Sequence, residues 1–104
     1  MQKEKKERFR VSILGATGYT GIELLRILVH HPFVEISAIT SQQFVGRPIS
    51  EVVPSLRMER DIVCEGLSES FLDRQFDLVF SCLPHGHSME IVPGIIKRGV
   101  KVID

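Results

Sequence analysis

A doubly wound α/β fold, a parallel sheet of about five strands with helices on both faces, is predicted by three observations. Short apolar, β-branched runs alternate with segments of helical periodicity along the whole chain. Proline or glycine punctuates the joins at helix-like and strand-like intervals. Three of the eight glycines fall in the stretch Gly15-Ala-Thr-Gly18-Tyr-Thr-Gly21, directly behind the run Val11-Ser12-Ile13-Leu14.

The elements follow in order. Phe9 to Leu14 is short, β-branched and closed by glycine, as a buried strand is. Gly21, Leu24, Leu25 and Leu28 then recur on one helical face, with Thr20 and Glu23 at the spacing of a capping box. His30-His31-Pro32 stops that helix, because the residue before proline resists the helical region. Glu35 to Thr40 alternates as a second strand. Between Ser41 and Arg60 the pattern is weakest, and Pro48 and Pro54 limit any helix between them to a few residues.

Asp61 to Glu65 reads as a short third strand and Ser68 to Arg74 as a short helix. Asp77 to Cys82 is an apolar strand that runs into Leu83-Pro84-His85-Gly86. Ser88 to Arg98 is predicted helical, with Met89, Val92 and Ile96 on one face, a kink or a lost hydrogen bond at Pro93, and Gly99 as its stop. Val100 to Ile103 is a last strand. Strands linked in this way require right-handed crossovers and hence a parallel sheet.

Composition bounds the function. A length of 104 residues suits one domain, 9–104, behind a charged, solvated, flexible tail at 1–8. The tail mixes both charge signs and lacks the apolar segment of a signal peptide. The formal net charge is zero, so neither nucleic acid nor a membrane surface is expected as partner. No apolar run approaches the roughly 18 residues of a membrane span. Two cysteines make no disulfide framework, and a reducing cytoplasm is the expected compartment.

A strand turning through glycines into a helix aims free backbone N–H groups, and the positive end of the helix dipole, at one point, which favours a phosphate. Gly15 would make the tight turn, Gly18 would let a pyrophosphate approach, and Gly21 would let the helix sit close to the strand. Thr17, Tyr19 and Thr20 share this loop, with Tyr19 at its tip. The spacing is G-x-x-G-x-x-G, a variant of the Rossmann dinucleotide fingerprint, without the lysine of a mononucleotide P-loop. An acid about 20 residues further on would bind the ribose 2′-hydroxyl of NAD. Ser41 and Gln42 stand there instead, and Arg47 follows within reach of a 2′-phosphate, so NADPH is the expected cofactor. Pro84, His85 and Gly86 follow the strand expected beside the first and should line the nicotinamide side of the crevice.

Cys82, His85 and His87 also invite a thiolate–imidazole pair or a zinc site. Cys82 ends an apolar strand, where cysteine behaves as a small buried hydrophobe, and a fourth zinc ligand is lacking apart from Cys64. No metal and no catalytic residue is therefore expected within the chain.

From about Arg10 to Asp104 the chain resembles N-acetyl-γ-glutamyl-phosphate reductases. The resemblance lies in Gly15 to Arg26, His31-Pro32, Thr40-Ser41, Leu83 to Gly86 and Gly99 to Asp104. It implies an NADPH-dependent reduction of N-acetylglutamyl 5-phosphate to the 5-semialdehyde, with release of phosphate, in arginine biosynthesis. It also implies that the cysteine nucleophile and its histidine lie beyond Asp104, that the acyl phosphate is the second small-molecule partner, and that the full-length enzyme is a homo-oligomer. Gln42 departs from the arginine common in that family. Two alternatives stand beside this reading: a stand-alone dinucleotide-binding or redox-sensing module without catalysis, and the cofactor domain of an enzyme like aspartate-semialdehyde dehydrogenase. An extended short-chain epimerase is excluded, since the only tyrosine, Tyr19, has Glu23 where that class needs lysine.

Overall fold

A computed structural model describes residues 8–56, 58 and 60–104. Residues 1–7 of the expected tail lie outside them, as do Arg57 and Glu59. Five strands form one parallel sheet: β1 (Phe9–Leu14), β2 (Val34–Thr40), β3 (Cys64–Glu65), β4 (Leu78–Ser81) and β5 (Lys101–Ile103). Among the described residues four helices connect them: α1 (Tyr19–Leu28), α2 (Ile49–Val52), α3 (Glu69–Leu72) and α4 (His85–Lys97). The strand order β3-β2-β1-β4-β5 reverses direction at β1. The carboxyl ends of β1 and β4 therefore flank a topological switch point, where ligands bind in open α/β sheets.

Each face of the sheet has its own core. Val11 and Ile13 of β1 pack with Ile36 and Ile39 of β2, Leu25 and Leu28 of α1, and Ile49 of α2. Leu14, Ala38 and Val79 pack on the other face with Phe71 of α3 and Ile95 of α4. The doubly wound arrangement predicted from the alternation of patterns is what the chain adopts.

Three local expectations are corrected. The register between β1 and β2 slips after Val11, so that Val11 pairs with Ile36 and Ser12 with Ala38, and Ser37 is an extra residue in β2. The resulting bulge puts Ile36 and Ile39, three apart, into the same core, which simple alternation would forbid. The last helix starts at His85 rather than Ser88, and its inward residues are Ser88, Ile91 and Ile95. Met89 and Ile96, placed with Val92 on one apolar face by their spacing, are 62% and 59% exposed. The apolar count of that helix exceeds what its contact with the sheet covers, so periodicity alone selected the wrong stripe. The third correction concerns the start of α1 and belongs to the site. Gly99 does end α4, at φ +82°, with its N–H donating to the Ile96 carbonyl at 2.9 Å.

The stretch after β2 folds as an edge beside β3. Gly46 N–H donates to the Cys64 carbonyl at 2.8 Å, and Cys64 N–H donates to the Arg47 carbonyl at 2.9 Å. Between the two prolines only α2 fits, at four residues.

Candidate functional site

The loop between β1 and α1 is held by backbone approach that only glycine permits. Gly15 has φ +73°, and a Cβ there would stand 3.0 Å from the Cys82 carbonyl oxygen at the end of β4. A Cβ on Gly21 would fall 2.4 Å from the Gly15 oxygen and 2.6 Å from the Ala16 carbonyl, so Gly21 lets α1 rest on the loop backbone. Gly18 differs. Its φ of −78° suits any residue, and a Cβ would meet only the Gly15 oxygen at 3.7 Å. Among the described residues, no close contact requires glycine at 18. What its missing side chain leaves open is the approach to the first turn of α1.

That turn carries no side-chain cap. Gly18 is the N-cap residue, and α1 begins at Tyr19, one residue before the Thr20 expected to cap it. Thr20 and Glu23 thus lie inside the helix and form no capping box. Gly18 brings no side chain, so the N–H groups at the helix start keep their donors for an external anion, supported by the dipole. Tyr19 and Thr20 are both exposed here, Tyr19 at 95%.

The end of β2 braces this loop. The Thr40 hydroxyl accepts the Gly15 N–H at 3.0 Å, and the Thr40 carbonyl accepts the Ala16 N–H at 2.9 Å. The Thr17 and Ser41 hydroxyls lie 2.8 Å apart, and Ser41 Oγ also accepts the Phe44 N–H at 3.1 Å. Ser41, predicted to face the cofactor, is only 1% exposed. Its hydroxyl joins the glycine loop to the segment that carries Gln42 and Arg47, and this bracing is what the structure assigns to it. Gln42 is exposed beside it. Arg47 lies further along, against the edge formed with β3, with its guanidinium on Glu51 and over the Phe44 ring. Thr40 was legible only as a strand end. The signal that could have found it is a hydroxyl residue placed where β2 meets the glycine turn.

Pro84, His85 and Gly86 form the N-cap and first turn of α4, all exposed, at the carboxyl end of β4 and beside β1. A hydroxyl chain fastens this turn from beneath. Ser88 Oγ donates to Asp104 Oδ1 at 2.9 Å and lies 2.8 Å from Ser81 Oγ. Ser88 has one hydroxyl proton and it goes to Asp104, so Ser81 must donate to Ser88. The Cys82 thiol is pushed above its ordinary range by burial and then by the Asp104 carboxylate. Burial, and then Asp61, do the same to Cys64. Both thiols are held protonated, the opposite of what an attacking thiolate needs. Among the described residues, no three His, Cys, Asp or Glu side chains are grouped to hold a metal ion, and no helix is long and apolar enough to cross a membrane.

These residues fit a dinucleotide. A helix start without a side-chain cap offers its N–H groups to an anion, and Gly18 keeps that approach clear of a side chain, beside the switch point between β1 and β4. Comparison with known proteins agrees. Residues 10–104 match the family described as semialdehyde dehydrogenase, NAD binding domain. Over 91% of its length the chain is 52% identical to the N-acetyl-gamma-glutamyl-phosphate reductase of Geobacter sp. (strain M21) and 47% identical to that of Desulfotalea psychrophila. It spans 28% of the length of each of those relatives. Among solved structures, the aspartate semialdehyde dehydrogenase with NADP from Candida albicans superposes with a TM-score of 0.72 at 27% identity, over 91% of this chain and 28% of that one. Aspartate semialdehyde dehydrogenase II of Vibrio cholerae, at 23% identity over 93% of this chain and 30% of that one, shares the fold with a TM-score of 0.76.

Proposed function

The chain belongs to the semialdehyde dehydrogenase family through its NAD-binding domain, and from that membership we propose that it is the NADPH-binding portion of an N-acetyl-γ-glutamyl-phosphate reductase. The observation that carries the reading is the open helix start at Gly18, a glycine that the fold itself does not require. The relatives' shared name supports the substrate, N-acetylglutamyl 5-phosphate, reduced to the semialdehyde with loss of phosphate. Likeness to an aspartate semialdehyde dehydrogenase at 27% identity favours that alternative less.

In this reading bound NADPH supplies the hydride, and the chain's residues bind and orient. The N–H groups at the start of α1 take the pyrophosphate. Thr40, Ser41 and Thr17 hold the glycine loop in place, and Pro84, His85 and Gly86 wall the nicotinamide side. Arg47 takes the 2′-phosphate. Cys82 stays a half-buried, protonated thiol, and the nucleophilic cysteine belongs to the portion of the longer relatives that this chain does not span. A cytoplasmic setting and homo-oligomerisation of the longer protein go with the same reading.

Calorimetric titration with NADPH and NADH tests it. NADPH should bind more tightly, and this chain alone should not oxidise N-acetylglutamate semialdehyde in the presence of phosphate. NADH binding as tight as NADPH, or turnover that C82S abolishes, would overturn it.

A further inference from the structure

We propose that Glu51 tunes how tightly this domain holds a 2′-phosphate, by competing for the guanidinium of Arg47. The proposal rests on the reading of Arg47 as the partner of that phosphate.

Two features of the structure carry it. Arg47 Nε and Nη2 both reach one carboxylate oxygen, Glu51 Oε1, at 3.2 and 3.1 Å. The guanidinium carbon lies 5.9 Å from the centre of the Phe44 ring, and Phe44 is fastened through its N–H to Ser41 Oγ. Arg47 is thus oriented from two sides, at the end of the segment that leaves β2 where the ribose is expected. A guanidinium has five N–H donors, and the contacts with Glu51 engage two of its three nitrogens, leaving Nη1 free of that carboxylate.

A phosphate monoester carries roughly −1.5 to −2 charges at neutral pH. It would have to share this guanidinium with a carboxylate of the same sign, one guanidinium width away. Both side chains of the pair are 54% exposed, so the pair is weak and exchangeable. The carboxylate therefore subtracts from phosphate binding without blocking it. A cofactor lacking the 2′-phosphate has no reason to feel Glu51 at all. Glu51 then acts on the difference between the two nicotinamide cofactors, and removing its charge should widen that difference.

The test is calorimetric titration of the chain with NADPH and with NADH, comparing wild type, E51Q, E51A and R47M at low and at physiological ionic strength. E51Q and E51A should both bind NADPH about 3- to 10-fold more tightly at low salt, with a smaller gain at higher salt and no change for NADH. R47M should lower NADPH affinity to that for NADH. If R47M removes the preference while the Glu51 variants leave NADPH binding unchanged or weaker, the competition is refuted and the role of Arg47 stands. An equal shift of both cofactors in the Glu51 variants would likewise refute it, as a change in the fold of α2. If wild type shows no preference for NADPH and R47M changes nothing, the reading of Arg47 fails and the proposal fails with it.

Discussion

Replacing Gly21 by alanine adds one methyl group where three backbone atoms already stand within 2.6 Å. Real Cβ contacts do not fall below about 3.0 Å, so α1 must move away from the glycine loop by several tenths of an ångström or more. The loop cannot yield instead, because Gly15 and Ala16 are hydrogen-bonded to Thr40. Overpacking of a well-packed site costs about 1–3 kcal/mol, and contact with backbone on three sides places Gly21 at the upper end. Alanine returns about 1 kcal/mol through its better helix propensity. The net loss is about 2 kcal/mol, which for a domain of about 100 residues lowers Tm by about 8–16 °C. Thermal unfolding followed by circular dichroism measures it. Gly18→Val is the partner experiment: its Cβ meets only the Gly15 oxygen at an ordinary 3.7 Å, and the preference for glycine over valine at an N-cap is worth about 1 kcal/mol, so Tm should fall by no more than about 8 °C. Calorimetry should nevertheless find NADPH binding lost. A G21A Tm equal to or above wild type would refute the packing argument, and a folded G18V with normal NADPH affinity would refute the assignment of the loop.

Other expectations follow from particular contacts. The Ser50 hydroxyl, 2.5 Å from Asp61 Oδ2, is the main reason the Asp61 carboxyl lies below its ordinary range, with burial opposing it. A lowered carboxyl pKa stabilises the fold at neutral pH and loses that effect as acid titrates the group through its lowered value. S50A should therefore move the Asp61 midpoint upward in an NMR titration, and an unmoved midpoint would contradict the assignment. Arg98 joins α4 to α3 through Asp73 at 3.0 Å and Glu69 at 2.6 Å, and also reaches the Gly94 carbonyl. R98A should lower stability in urea unfolding, with a smaller loss at high salt, and a cost independent of salt would show that the charges are not responsible. Burial holds the Cys82 thiol protonated, so its alkylation should set in at higher pH than that of a free cysteine peptide, and C82S should bind NADPH as wild type does. Rapid alkylation at neutral pH would mark it as a reactive thiol.

By itself the sequence determined the order and type of the elements and singled out the glycine loop as the expected nucleotide site. Those features are local. A β-branched run closed by glycine, a leucine stripe at helical spacing and a proline stop act through neighbours a few residues away, and Gly15, Gly18 and Gly21 stand within one loop. The tertiary structure decided what depends on partners far along the chain. The bulge at Ser37 exists because β2 must present Ile36 and Ile39 to a core built by α1 and β1. The stripe of α4 that faces inward was set by the sheet beneath it, which left Met89 and Ile96 outside. Ser41 became a brace because Thr17, 24 positions earlier, meets its hydroxyl, and Thr40 because Gly15, 25 positions earlier, turns onto it. The capping box failed for the same kind of reason. Gly21, pressed on the Gly15 carbonyl, fixes where α1 begins, so packing between loop and helix overrode the local preference of Thr20 and Glu23 and left the first N–H groups of the helix facing outward.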